Sequence, residues 1–310
     1  MMPLDNRPLR SVALVALMMT LCIGLGRGAA AAQSPWHAQY FPNVELTTHT
    51  GAHVRFYDLI KGKTVAIELI YTQCRFVCPL ETARLAQVQA LLGDRMGRDI
   101  FFYSISIDPA HDTPDALKSF ARKYHAGPGW TFLTGKSEDI ELLSKKLGLY
   151  AAPDPDNKDG HMPALLIGNE ATGEWIRGSA LDNPRMTATM ISNWVGVHPT
   201  VAATPSYANA KPLHFTSGEY VFSTKCSPCH SLGQGNKIGP DLAGITSVRD
   251  RRWLARYVAD PNGMLKAGDP IAKTLSTRYK QMQMPNLQLT DRQVADVIAF
   301  LGSVRPVRSQ

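Results

Sequence analysis

Residues 64–71 (TVAIELIY) are an almost unbroken apolar, β-rich run, the pattern of a strand buried on both faces. A helix is predicted from about residue 79 to residue 92, closed by Gly93. Residues 100–107 (IFFYSISI) repeat the buried-strand pattern. Thr113-Pro114 then supplies an N-cap and a first-turn proline for a helix to about residue 124. Residues 130–133 read as a third strand, and Ile140, Leu143 and Leu147 recur at helical spacing ahead of Gly148. Residues 164–168 and 174–177 flank a turn at 169–173 as a hairpin.

Strand, helix, strand, helix, strand, helix, hairpin, helix is the order of an α/β sandwich, and it predicts a thioredoxin-like N-terminal domain. Residues 195–213 lack any sustained period and are rich in Pro, Ala, Thr and Ser, the composition of a linker. The predicted divisions are a domain at 33–197, a linker at 198–211 and a second domain at 212–310. The second domain shows only helical signals and is predicted to be all-α. In its last helix Thr290 and Gln293 make a capping box, and Val294, Val297, Ile298 and Leu301 share one face.

The chain has 310 residues, enough for two folded units at ~100–200 residues each. With 44% hydrophobic and 19% charged residues it is neither mainly disordered nor fibrous. No apolar run reaches the ~18–20 residues of a membrane span, which excludes a polytopic membrane protein. Residues 1–32 read as an export signal: Arg7 and Arg10 come first, residues 11–26 are apolar, and residues 29–32 are small. Arg27 closes the apolar stretch early, so cleavage is expected rather than an uncleaved anchor. Cys22 would leave with the signal and the mature protein would be periplasmic.

Charge is unevenly divided. Residues 33–210 carry 16 Lys+Arg against 18 Asp+Glu, whereas residues 211–310 carry 14 against 7. The positive excess belongs to the second domain and calls for an acidic redox partner. Nucleic acid is not expected, because no stacking aromatic array accompanies the charge.

Four cysteines remain after the signal, in two close pairs. Cys226-Ser227-Pro228-Cys229-His230 is the C-x-x-C-H motif of covalent c-type haem attachment. Two thiols one helical turn apart add to the porphyrin vinyl groups, and His230 reaches the iron. The carbonyl of Pro240 lies where it would accept the other ring N–H of His230. Met284, ahead of Pro285 and the last helix, is the candidate sixth ligand, with Met282 and Met264 as competitors. Together these features resemble a class I cytochrome c domain over nearly all of residues 212–304, which implies one covalently bound haem c.

The other pair, Cys74 and Cys78, is a C-x-x-x-C between the end of a buried strand and the start of a helix. Exposed amides and the helix dipole there favour thiolate over thiol. Thiolates suit soft metals, Cu(I) above all, yet the spacing alone serves a structural disulfide equally well.

The strand at 100–107 runs into Asp108-Pro109-Ala110-His111-Asp112-Thr113-Pro114, and Trp130-Thr131-Phe132-Leu133-Thr134-Gly135 follows. In this order, with C-x-x-x-C before it, residues 40–195 resemble the Sco/SenC family of copper-binding, thioredoxin-like proteins. The resemblance implies that Cys74, Cys78 and His161 bind one copper ion. It further implies a role in assembling the CuA centre of subunit II of cytochrome c oxidase, a membrane-associated partner. Asp108 and Asp112 are expected either to orient the copper site or to serve loop and cap roles. Two other functions fit the same residues. A thiol–disulfide oxidoreductase would use Cys74 and Cys78 catalytically with electrons from haem. A plain electron-transfer protein would use the first domain only for docking.

Overall fold

The computed structural model describes residues 40–150, 163–194, 215–279 and 282–304. The expected signal, the linker at 198–211 and His161 lie outside the described residues. The first half begins with β1 (Glu45–Thr48), β2 (His53–Arg55), α1 (Phe56–Ile60), β3 (Thr64–Ile70) and α2 (Cys78–Leu92). It continues through β4 (Ile100–Ser106), α3 (Pro114–Lys123), β5 (Trp130–Gly135), α4 (Ser137–Lys146), β6 (Leu165–Asn169), β7 (Glu174–Gly178) and α5 (Pro184–Thr189). The seven strands form one sheet in the order β2-β1-β5-β4-β3-β6-β7. β3 runs parallel to β4 and β4 to β5, while the outer strands pair antiparallel.

Period-two alternation in the central strands decides the layers. Val65, Ile67 and Leu69 pack with Tyr103, Ile105 and Leu133 against Phe56 and Ile60 of α1 and Ile140 and Leu143 of α4. Ala66 and Ile70 pack with Phe102 and Phe132 against Leu85 and Val88 of α2 and Leu117 and Phe120 of α3. The result is the helix–sheet–helix sandwich of a thioredoxin-like domain. Glu68 shares the face of Ala66 and Ile70, and it is buried like every other residue of β3. The hairpin of β1 and β2 has no counterpart among the predicted elements. Its strands are four and three residues long with mixed polarity, too short to show a period.

The second half is helical. α6 (Ser217–Val221) continues as a π-helical segment, Phe222–Cys226, and is followed by α7 (Ile245–Val248) and α8 (Arg251–Ala259). α9 (Pro261–Lys266), α10 (Pro270–Arg278) and α11 (Asp291–Ser303) complete it. The capping box of Thr290 and Gln293 forms as the sequence predicts. Val294, Val297, Ile298 and Leu301 of α11 pack with Val221, Phe222, Trp253 and Leu254. α6 crosses α11 at backbone contact: a Cβ on Gly218 would lie 2.0 Å from the Asp296 carbonyl oxygen, so no side chain fits there.

Candidate redox and metal centres

The dithiol loop joins β3 to α2. Asp112 is wholly buried and anchors the loop's first turn. Its carboxylate accepts from the Thr72 N–H (3.0 Å), the Thr72 hydroxyl and the Ser106 hydroxyl (2.6 Å). Asp108, by contrast, is tied to exposed His111 at 2.8 Å, a surface pair. Asp112 thus fixes the turn that leads to Cys74, whereas the Asp108 carboxylate pairs with His111. Cys74 N–H donates to the Tyr71 carbonyl (3.2 Å), and Cys78 N–H donates to Cys74 Sγ (3.4 Å). Pro79 sits in the first turn of α2, where its missing N–H costs nothing.

The two sulfurs are inequivalent. A hydrogen bond from the Cys78 thiol is the largest influence on Cys74; burial opposes it, and the N–H groups of Phe76 and Cys78 reinforce it. The net effect pulls Cys74 down to about 5. Burial and the adjacent Cys74 push Cys78 well up. At neutral pH the site holds one thiolate and one thiol. Among the described residues no three His, Cys, Asp or Glu side chains cluster as a metal site. Cys74 and Cys78 supply two donors.

Two carboxyls share this interior. Burial raises Glu68 to about 8, and Glu68 accepts a hydrogen bond from the Ser104 hydroxyl (2.6 Å). Ser104 in turn accepts from Trp130 Nε1–H (2.9 Å). Burial, then the nearby Glu68 and Cys74, raise Glu81 to about 9. Both are neutral acids at pH 7. Neither was singled out from sequence. The available signal was Glu68 itself, one carboxyl inside an otherwise apolar strand.

The second centre is an apolar crevice lined by Cys226, Cys229, His230, Met282 and Met284. The hydrogen bond expected for His230 forms: Nδ1 lies 2.8 Å from the Pro240 carbonyl. That contact puts the proton on Nδ1, and burial lowers the ring's pKa, so neutral imidazole keeps Nε2 for a metal. Gly239 lets the backbone lie against the ring. A Cβ there would come within 2.5 Å of His230 Cε1. Burial drives both Cys226 and Cys229 up to about 12, so they are neutral thiols. Neutral sulfur, neutral imidazole and apolar walls fit a covalently bound haem. Met264 packs into the helical core instead of lining the crevice, which leaves Met282 and Met284 as the sulfur donors facing it.

Pro79, one residue past Cys78, and Tyr124, just past α3, also line this crevice. The wall of this crevice is thus partly built by the dithiol domain. All described residues belong to one compact unit.

Two family profiles match separate segments of the chain. The SCO1/SenC family profile matches residues 33–166, and the cytochrome c profile matches residues 215–305. A SCO1 homolog of Bacillus subtilis is 33% identical over 104 residues, which cover 33% of this chain and 53% of that protein. Human mitochondrial SCO1 homolog is 30% identical over 115 residues, 37% of each chain. A Stutzerimonas stutzeri protein named for copper binding is 29% identical over 157 residues, 49% of this chain and 76% of its own. Among solved structures, a SCO1/SenC family lipoprotein from Bacillus anthracis superposes with a TM-score of 0.44 at 25% identity, covering 50% of this chain and 93% of that one. The match spans about half of the Bacillus subtilis relative and about a third of the human one. The chain is a fusion of a SCO1/SenC domain over residues 33–166 with a cytochrome c domain over residues 215–305.

Proposed function

We propose that this chain is an exported, copper-binding redox protein that helps assemble the CuA centre in subunit II of a cytochrome c oxidase. Cys74, Cys78 and His161 hold one copper ion and release it by ligand exchange. Cys226 and Cys229 tether one haem c, with His230 and Met284 on its iron, and the haem exchanges electrons with the copper site. The observation that carries this reading is the Cys74 thiolate, a soft donor held ready at neutral pH beside a buried thiol. The choice of target follows the family's association with copper delivery to cytochrome c oxidase. The basic cytochrome domain suits an acidic docking surface, and the expected location is the periplasm.

A second reading, thiol–disulfide reduction, is favoured by the same asymmetry. A depressed thiolate next to a raised thiol is the arrangement of an attacking and a resolving cysteine. His161 separates the two. In His161→Ala, copper affinity should fall by at least an order of magnitude while exchange with a small disulfide is unchanged. Full copper affinity in that variant would favour the reductase.

A further inference from the structure

Among the described residues, three hydrogen bonds cross between the two domains, and each ends near a candidate redox residue. The Asn286 N–H donates to the Arg75 carbonyl at 3.1 Å. Asn286 is two residues past Met284, and Arg75 is the neighbour of Cys74. The Tyr124 hydroxyl donates to Met282 Sδ at 3.8 Å. The Arg84 guanidinium of α2 donates to the carbonyl of Thr224, two residues before Cys226. Around these contacts Cys229, Ile238 and Met282 pack against the apolar cluster beneath α2 and α3.

Electron transfer weakens steeply with distance and less steeply through bonds than across gaps. Among these three contacts, the Asn286–Arg75 hydrogen bond gives the shortest bonded route from one centre to the other. Starting at Met284, the route runs along Pro285 to the Asn286 N–H, crosses one hydrogen bond to the Arg75 carbonyl, and reaches Cys74. We propose that the loop carrying Met284 and the loop carrying Cys74 and Cys78 form the intramolecular electron-transfer contact, with the Asn286–Arg75 hydrogen bond as its bridge. The proposal rests on the copper and haem reading above and adds the route. One electron leaves ferrous haem, which becomes ferric, and enters Cu(II), which becomes Cu(I). No covalent bond forms or breaks and no proton moves.

The contact carries an energetic cost at Arg84. Arg84 is buried, and its Nε has no partner among the described residues. Burying a guanidinium on a single carbonyl opposes docking and offsets part of the apolar gain. On the dithiol loop itself, Phe76 is 52% exposed.

The test uses the full, haem-loaded chain carrying Cu(II), given less than one electron per molecule by flash photoreduction. Haem re-oxidation should be first order and independent of protein concentration. In Asn286→Pro, which lacks the N–H, it should slow by about an order of magnitude with the iron–sulfur charge-transfer band and copper content unchanged. An unchanged rate under those conditions overturns the bridge. If the proline displaces Met284, hydrogen exchange in the unaltered protein decides. Protection of the Asn286 amide supports the contact, and exchange at the free-peptide rate overturns it. Copper-loaded protein whose haem never re-oxidises would overturn the route while leaving copper binding intact. Protein that binds no copper would sink the parent reading instead.

Discussion

The two cysteine pairs of this chain differ at one sulfur, although both lie near a helix: Cys74 is held down, whereas Cys78, Cys226 and Cys229 are all pushed up. Cys74 is surrounded by donors: a thiol and two backbone N–H groups aim at its sulfur and hold it near 5. Cys226 and Cys229 lie in an apolar crevice, and burial takes both to about 12. Burial alone therefore does not decide what a cysteine does. Donors convert Cys74 into a thiolate suited to a soft cation or to attack on a disulfide, while their scarcity keeps Cys226 and Cys229 neutral.

The sharpest way to break this comparison is alkylation of the reduced, haem-free chain at pH 7, read site by site by mass spectrometry. Thiolate fractions set by these pKa values differ by several orders of magnitude. Cys74 should be modified far ahead of Cys226 and Cys229, and its rate should fall only as pH drops through about 5. Equal rates at Cys74 and Cys226 would erase the distinction.

A smaller effect tests the interior beneath the dithiol. Glu68 and Glu81 have folded-state pKa values above the ordinary carboxyl value of 4.5. Between about pH 5 and 8 the folded state holds their protons and the unfolded state does not, so stability falls as pH rises. Cys74, depressed from 9.0, works the other way over the same window, giving stability that grows with pH. Glu68→Gln should flatten the downward slope by roughly 1.4 kcal/mol per pH unit, and Cys74→Ser should steepen it by a similar amount. Parallel slopes in denaturant titrations of all three proteins would contradict the assignment.

Most of the fold was legible because its signals are local. The runs at 64–71 and 100–107, the Thr113-Pro114 cap and the Thr290–Gln293 box each depend on a few adjacent residues, and each appears where expected. C-x-x-C-H is equally local, as is the His230–Pro240 contact ten residues on. What sequence did not show is tertiary. Glu68 and Glu81 lie thirteen residues apart on a strand and a helix, and they meet only once α2 packs on the sheet. Arg84, Tyr124 and Asn286 acquire significance from contacts between segments more than a hundred residues apart. No periodicity or spacing rule encodes such pairs.

The central claim is that one chain holds copper on its first cysteine pair and haem on its second, independently. It is tested most directly by metal analysis of purified haem-loaded protein, intact and as the Cys74→Ser, Cys78→Ser double variant. The account predicts one copper and one haem per intact chain, and haem without copper in the variant. Unchanged copper content in the double variant would contradict it.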